Sequence, residues 1–174
     1  MFSDSVAVIA KGNLGLLGTL SSDIHIVWAW KYVSRMKQDL RYTHGDVFET
    51  FPFPENVLEG KHEGLNLLGK DFFDLRSNYM TSNDKGMTKF YNDLHDSAVD
   101  TIEIRALREK QIALNNAVLT AYGFDDLDPD YGFHQVGYLP EGKNTRFTIS
   151  EEAREEVLYQ LAMLNKVRHE AEQE

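Results

Sequence analysis

Four groups of residues have types and spacings that could do chemistry. Pro129-Asp130 followed by Glu141-Gly142-Lys143 has the form of a metal-dependent nuclease motif, in which two acids ligate magnesium and a lysine sits beside the attacking water. That chemistry needs its second acid on a buried strand, whereas Pro140, Gly142 and Asn144 mark a loop tip. Asp128-Pro129-Asp130-Tyr131 is close to the Asp-Pro-Pro-Tyr tetrapeptide that grips a target amine and stacks a flipped base, but Asp130 stands where the second proline is needed, so a turn is expected. Gly12, Gly15 and Gly18 could let backbone approach a phosphate, yet the spacing is not Gly-x-Gly-x-x-Gly and no Gly-Lys-Ser/Thr follows. Close packing of a helix on a sheet is the better use of these glycines. His95-Asp96, taken with His25, His44 or His62 and Asp126, can be forced into a metal phosphohydrolase pattern, but Asp96 reads as the break before the next helix. No nucleophile, metal or cofactor motif survives, so this chain alone is not expected to be an enzyme.

Binding is left, and charge says where to look. The 174 residues carry a net charge of -10, which disfavours a polyanion over most of the surface. Residues 1–54 hold five basic and five acidic side chains, and residues 55–174 hold 13 and 23, so the whole deficit lies in the second part. Lys31, Arg35, Lys37 and Arg41 form the basic cluster of the first part and are the candidates for backbone phosphates, with Tyr42, Thr43 and His44 as base or sugar contacts. Cations there would also complement a helix C-terminus. His25 falls on an apolar stripe and is expected to be a core histidine hydrogen-bonded to backbone. There are no cysteines, no apolar run approaches the roughly 20 residues of a membrane span, and no basic flank of a signal peptide opens the chain; a cytoplasmic protein without a membrane partner is expected.

The elements that must position these residues follow from periodicity. Ser5 to Ala10 reads as a strand, and a chain that opens inside a sheet points to a fragment of something longer. Leu17, Leu20, Ile24, Val27 and Trp28 recur at helical spacing within a helix from about Leu14 to Met36. Val47, Glu49 and Phe51 alternate with Phe48, Thr50 and Phe53 as in a strand, which Pro52 and Pro54 must end in a stiff arm carrying two large rings. Beyond it the spacing predicts helices at about Lys61 to Met80, Lys89 to His95 capped by Thr88, Val99 to Tyr122 ended by Gly123, and a last helix capped by Ser150.

Leu20-Ser21-Ser22 with His25 and Trp28, followed by Arg41-Tyr42 and Thr50-Phe51-Pro52-Phe53-Pro54, resembles the end of the target-recognition region in large bacterial restriction-modification DNA methyltransferases. The likeness continues through Gly86-Met87-Thr88-Lys89-Phe90-Tyr91-Asn92, Ile104 to Arg108, Asn116 to Leu119, Ala121-Tyr122-Gly123-Phe124 and Gly132-Phe133-His134, with Phe90 and Phe124 where the family has Leu and Trp. The resemblance implies the C-terminal part of an adenine-specific enzyme of this type. Its upstream methyltransferase domain would use S-adenosylmethionine to methylate adenine N6 on double-stranded DNA, and some relatives also cleave DNA. No cofactor is expected in this chain itself.

Together these readings give an α+β fold, predominantly α-helical. A small strand-helix-strand lobe, 1–54, is followed by a helical, bundle-like tail, 55–174. The function expected is DNA recognition and structural support within a methyltransferase. The alternative is an acidic helical adaptor that docks other proteins and has no nucleic-acid role.

Overall fold

The computed structural model describes residues 12–36 and 39–173, and for 34–41 only the course of the backbone. The strand expected at Ser5 to Ala10 lies outside the described residues. Among the described residues the order is α1 (Leu14–Ser21), α2 (Asp23–Tyr32), β1 (Ser34–Met36), β2 (Asp39–Arg41), α3 (Glu63–Ser82), α4 (Met87–His95), α5 (Ile102–Tyr122), β3 (Gly132–Gln135), β4 (Thr145–Thr148) and α6 (Glu151–Ala171). The predominantly helical α+β class holds.

The helix expected from Leu14 to Met36 is three elements. Ser22 is extended (φ -78°, ψ 156°), receives the His25 N–H on its hydroxyl, and gives its own N–H to the Thr19 carbonyl. One serine thus ends α1 and starts α2, because a hydroxyl that can cap competes with continuing the helix. β1 and β2 then pair antiparallel, with Ser34 opposite Arg41 and Arg35 opposite Leu40.

The strand expected at Val47 to Phe51 is a correction. His44–Phe48 forms a wide helical turn, closed by the Glu49 N–H on the His44 carbonyl at 3.1 Å. Asp46 directs it: its carboxylate accepts from Thr43 Oγ1 (2.8 Å) and its carbonyl from Thr50 Oγ1 (2.6 Å). Alternating residues with no neighbouring strand yield to local side-chain bonds of this kind. The arm after it does seat both rings, Phe51 at 4% and Phe53 at 7% exposure. It is not uniformly extended, since the Phe53 N–H turns back to the Phe51 carbonyl at 2.9 Å around Pro52.

Gly15 and Gly18 do serve close packing, but helix on helix, whereas a Cβ on Gly12 would meet nothing among the described residues. A Cβ on Gly69 of α3 would stand 2.0 Å from the Leu14 carbonyl oxygen, and one on Gly18 would stand 3.0 Å from Gly69 Cα. α1 and α3 therefore cross almost backbone to backbone, a spacing only glycine permits. α4 is capped by Gly86 rather than Thr88. α5 starts at Ile102, three residues later than expected, because Thr101 accepts the Ile104 N–H. Gly123 ends α5 in the left-handed region (φ 76°), and Ser150 receives the Ala153 N–H to start α6, both as expected.

The β3–β4 hairpin is absent from the sequence reading. Each strand is four residues long and one side of it is exposed, which leaves too little periodicity to see. It clamps the end of α4: the Phe147 N–H donates to His95 Nδ1 (3.2 Å), and Phe133 and Phe147 flank the Arg108 guanidinium at 4.8 and 5.6 Å. Arg108 in turn donates to the Leu94 and Asp96 carbonyls, satisfying the helix end. One continuous apolar cluster runs from Leu16 through the arm to Leu161, so α1, α2, the arm and the long helices share a core.

Candidate nucleic-acid interface

The sequence motifs at 20–28 and 50–54 meet in space. His25 packs edge-on to Phe51 (4.6 Å between centroids, 87°), Trp28 lies 6.0 Å from Phe51, and Phe51 and Phe53 are in turn edge to face (4.8 Å). Trp28 Nε1 donates to Thr50 Oγ1 (3.2 Å), so its one polar atom closes the same contact. From the far end of the chain Arg168 Nη1 donates to the Phe53 carbonyl at 2.7 Å. In chain order the β1–β2 hairpin and the His44–Phe48 turn lie between α2 and the arm.

The predicted contacts therefore sit on one segment, though in different circumstances. Lys31 is exposed on the last turn of α2. Arg35 and Arg41 belong to paired strands, one position out of register with each other. Lys37 lies outside the described residues. Tyr42 is 36% exposed, and its hydroxyl is 3.0 Å from His25 Nε2. Partial burial pushes its phenol up to about 12, so it stays protonated. Thr43 is held by Asp46, and His44 stacks on Phe48 (5.1 Å) with Nδ1 3.1 Å from Glu49. Two of the three proposed loop contacts are thus paired to carboxylates, which an incoming base or sugar would have to displace.

His25 is a core residue, as expected, but among the described residues its ring bonds no backbone group. Its partner is Tyr42, its Nδ1 has none among them, and burial pulls its pKa down to about 4. The sequence reading missed a buried polar group beneath α2. Asn115 donates to Asp23 Oδ2 (2.8 Å) and accepts the Asp23 N–H (3.0 Å), while Gln111 reaches the Ser21 carbonyl (3.2 Å). Burial raises Asp23 to about 6 against the opposing pull of Asn115, Thr148 and Arg154. The signal available was Asn115 and Gln111 four residues apart on the buried face of α5, which also carries Arg108. The partners were 92 and 90 residues away.

Of the rejected motifs, Glu141, Gly142 and Lys143 are exposed in the turn between β3 and β4, the loop tip expected. Asp130 donates its N–H to its neighbour Asp128 Oδ1 (3.1 Å) in a tight turn with φ 44°. Gly15 and Gly18 face Asn66 and Gly69 at contact distance. A cavity of about 790 Å³ lies between the arm and α6, and none of the predicted contacts lines it. Its wall mixes Lys166, Arg168 and His169 with Glu55, Glu59 and Glu172. No helix of the described residues is long and apolar enough to cross a membrane.

One comparison with known proteins falls on the same segment. Residues 1–55 match the family model described as MmeI, target recognition domain. The chain is also 29% identical over 130 residues to DNA methyltransferase A of Bacillus subtilis (strain 168), an alignment that covers 75% of this chain and 13% of that protein. No solved structure matches. The resemblance to restriction-modification DNA methyltransferases is met by both matches; the chain spans about an eighth of the length of the relative it is aligned with.

Proposed function

We propose that this chain is the DNA-recognition part of a larger, site-specific DNA methyltransferase, holding duplex while the chemistry is done elsewhere. The observation that supports it best is coincidence of place: the target-recognition match ends at residue 55, and the basic cluster and its loop fall inside it. In this reading Lys31, Arg35, Lys37 and Arg41 take backbone phosphates, with Tyr42, Thr43 and His44 beside them. Methyl transfer from S-adenosylmethionine to adenine N6, in the cytoplasm, belongs to an upstream methyltransferase domain. Residues 55–174 then act as the buttress that fixes the recognition segment, and the chain by itself is not catalytic.

A second reading has one observation in its favour. Tyr159, Met163 and Val167 lie four residues apart on α6 and are 60%, 44% and 57% exposed, an apolar stripe suited to a protein partner. A salt titration of duplex binding separates the two. Neutralising three or four phosphates gives a slope of log K against log salt of about -3 to -4. A docking adaptor gives no salt-dependent DNA binding, and that result overturns the recognition reading.

A further inference from the structure

Tyr42 stands apart from the other proposed contacts because its polar partner is buried. His25 is 3% exposed, set edge-on to Phe51, and its Nε2 lies 3.0 Å from the Tyr42 hydroxyl. Its Nδ1 is equally buried and meets no hydrogen-bonding group among the described residues. A neutral imidazole has one N–H and one bare nitrogen, and burial keeps this ring neutral. If Nδ1 carried the proton, a buried donor would have nothing to receive it. With the proton on Nε2 the orphan is an acceptor, which interiors tolerate better than an unpaired N–H. The Nε2–H then donates to the Tyr42 oxygen. A phenol that accepts from His25 has its own O–H to give in another direction, and Tyr42 is the part of the pair that reaches solvent.

We propose that His25 is a positioning residue: by donating to the Tyr42 oxygen it fixes Tyr42 as a hydrogen-bond donor for a phosphate oxygen of bound DNA. This rests on the recognition reading above. Phosphate is the matching ligand because its oxygens only accept, so a phenol locked as a donor needs no further adjustment to meet one. The pair also joins the buried aromatic block to the loop, so the orientation of Tyr42 is tied to α2 and the arm.

Two measurements on the full chain test it. The first is nitrogen NMR of protein labelled in histidine, with His25→Phe assigning the resonance; a protonated Nε2 and a bare Nδ1 are expected. The second is duplex affinity of Tyr42→Phe, His25→Phe and His25→Gln beside the parent, with folding checked by thermal melting. Tyr42→Phe and His25→Phe should each bind about 3- to 10-fold more weakly. The loss should be equal on duplexes of different sequence, with an unchanged salt slope, because a neutral donor releases no counterion. His25→Gln, whose amide N–H can reach the same oxygen, should bind like the parent. A protonated Nδ1, parental affinity in Tyr42→Phe, or a loss that varies with duplex sequence overturns the proposal while leaving salt-dependent binding by the basic cluster intact. Absence of any duplex binding by the parent chain instead overturns the recognition reading and the phosphate assignment with it, and the NMR spectrum still decides which way the His25–Tyr42 bond runs.

Discussion

Residues 12–54 and residues 102–171 solve the same packing problem by different means. The front segment has helices of eight and ten residues, too short to be stable alone. It is held by a glycine crossing, by rings from the arm, and by Asn115 reaching across to Asp23. The rear has two 21-residue helices with serine, threonine and glycine caps and long apolar stripes. The front is therefore specified by distant partners and the rear largely by its own sequence, so a given type of substitution should cost more in front than behind.

The largest contrast is in the rings. Phe51→Ala removes a buried aromatic that four other rings touch and should cost about 3–5 kcal/mol in urea denaturation, whereas Val167→Ala, on the exposed side of α6, should stay within about 0.5 kcal/mol. Glycines give the next. Gly69→Ala sets a methyl against the Leu14 carbonyl and should lose about 3 kcal/mol; Gly123→Ala meets no neighbouring atom and bears only the left-handed backbone penalty, about 1 kcal/mol. Equal losses at the two glycines would erase the distinction drawn here.

Acid should test both regions through buried histidines. His25 in front and His95 behind are held neutral by burial, each pulled down from the ordinary 6.5 to about 4. The unfolded chain takes up these protons first, so stability is full above pH 6.5 and is lost as pH falls to about 4, by up to about 3 kcal/mol for His25. Asp23 works the other way: its carboxyl, raised to about 6, takes up a proton earlier when folded and regains part of that loss between pH 6 and 4. His25→Phe should flatten the decline relative to the parent in urea midpoints measured across this range. The last test is at the tie between the regions. Arg168→Met removes the hydrogen bond to the Phe53 carbonyl and should lower stability by about 1–2 kcal/mol, measured by thermal unfolding, with the β3–β4 hairpin unaffected.

The amino-acid order determined the elements whose signals are local. Gly123 after an apolar stripe, Ser150 before Glu151 and Glu152, and prolines at 52 and 54 each act within a few residues, so α5, α6 and the buried arm could be read directly. Tertiary structure decided the rest. Whether Val47 to Phe51 became strand or turn depended on a neighbouring strand, which the described residues do not supply, and whether Gly18 served a sheet or a helix depended on Gly69, 51 positions later. The partners of His25 and Asp23 were likewise settled by what burial brought beside them. The physical reason is one of range: caps and turns are satisfied by neighbours in sequence, whereas a buried polar atom or a missing Cβ is satisfied only by what the fold places next to it.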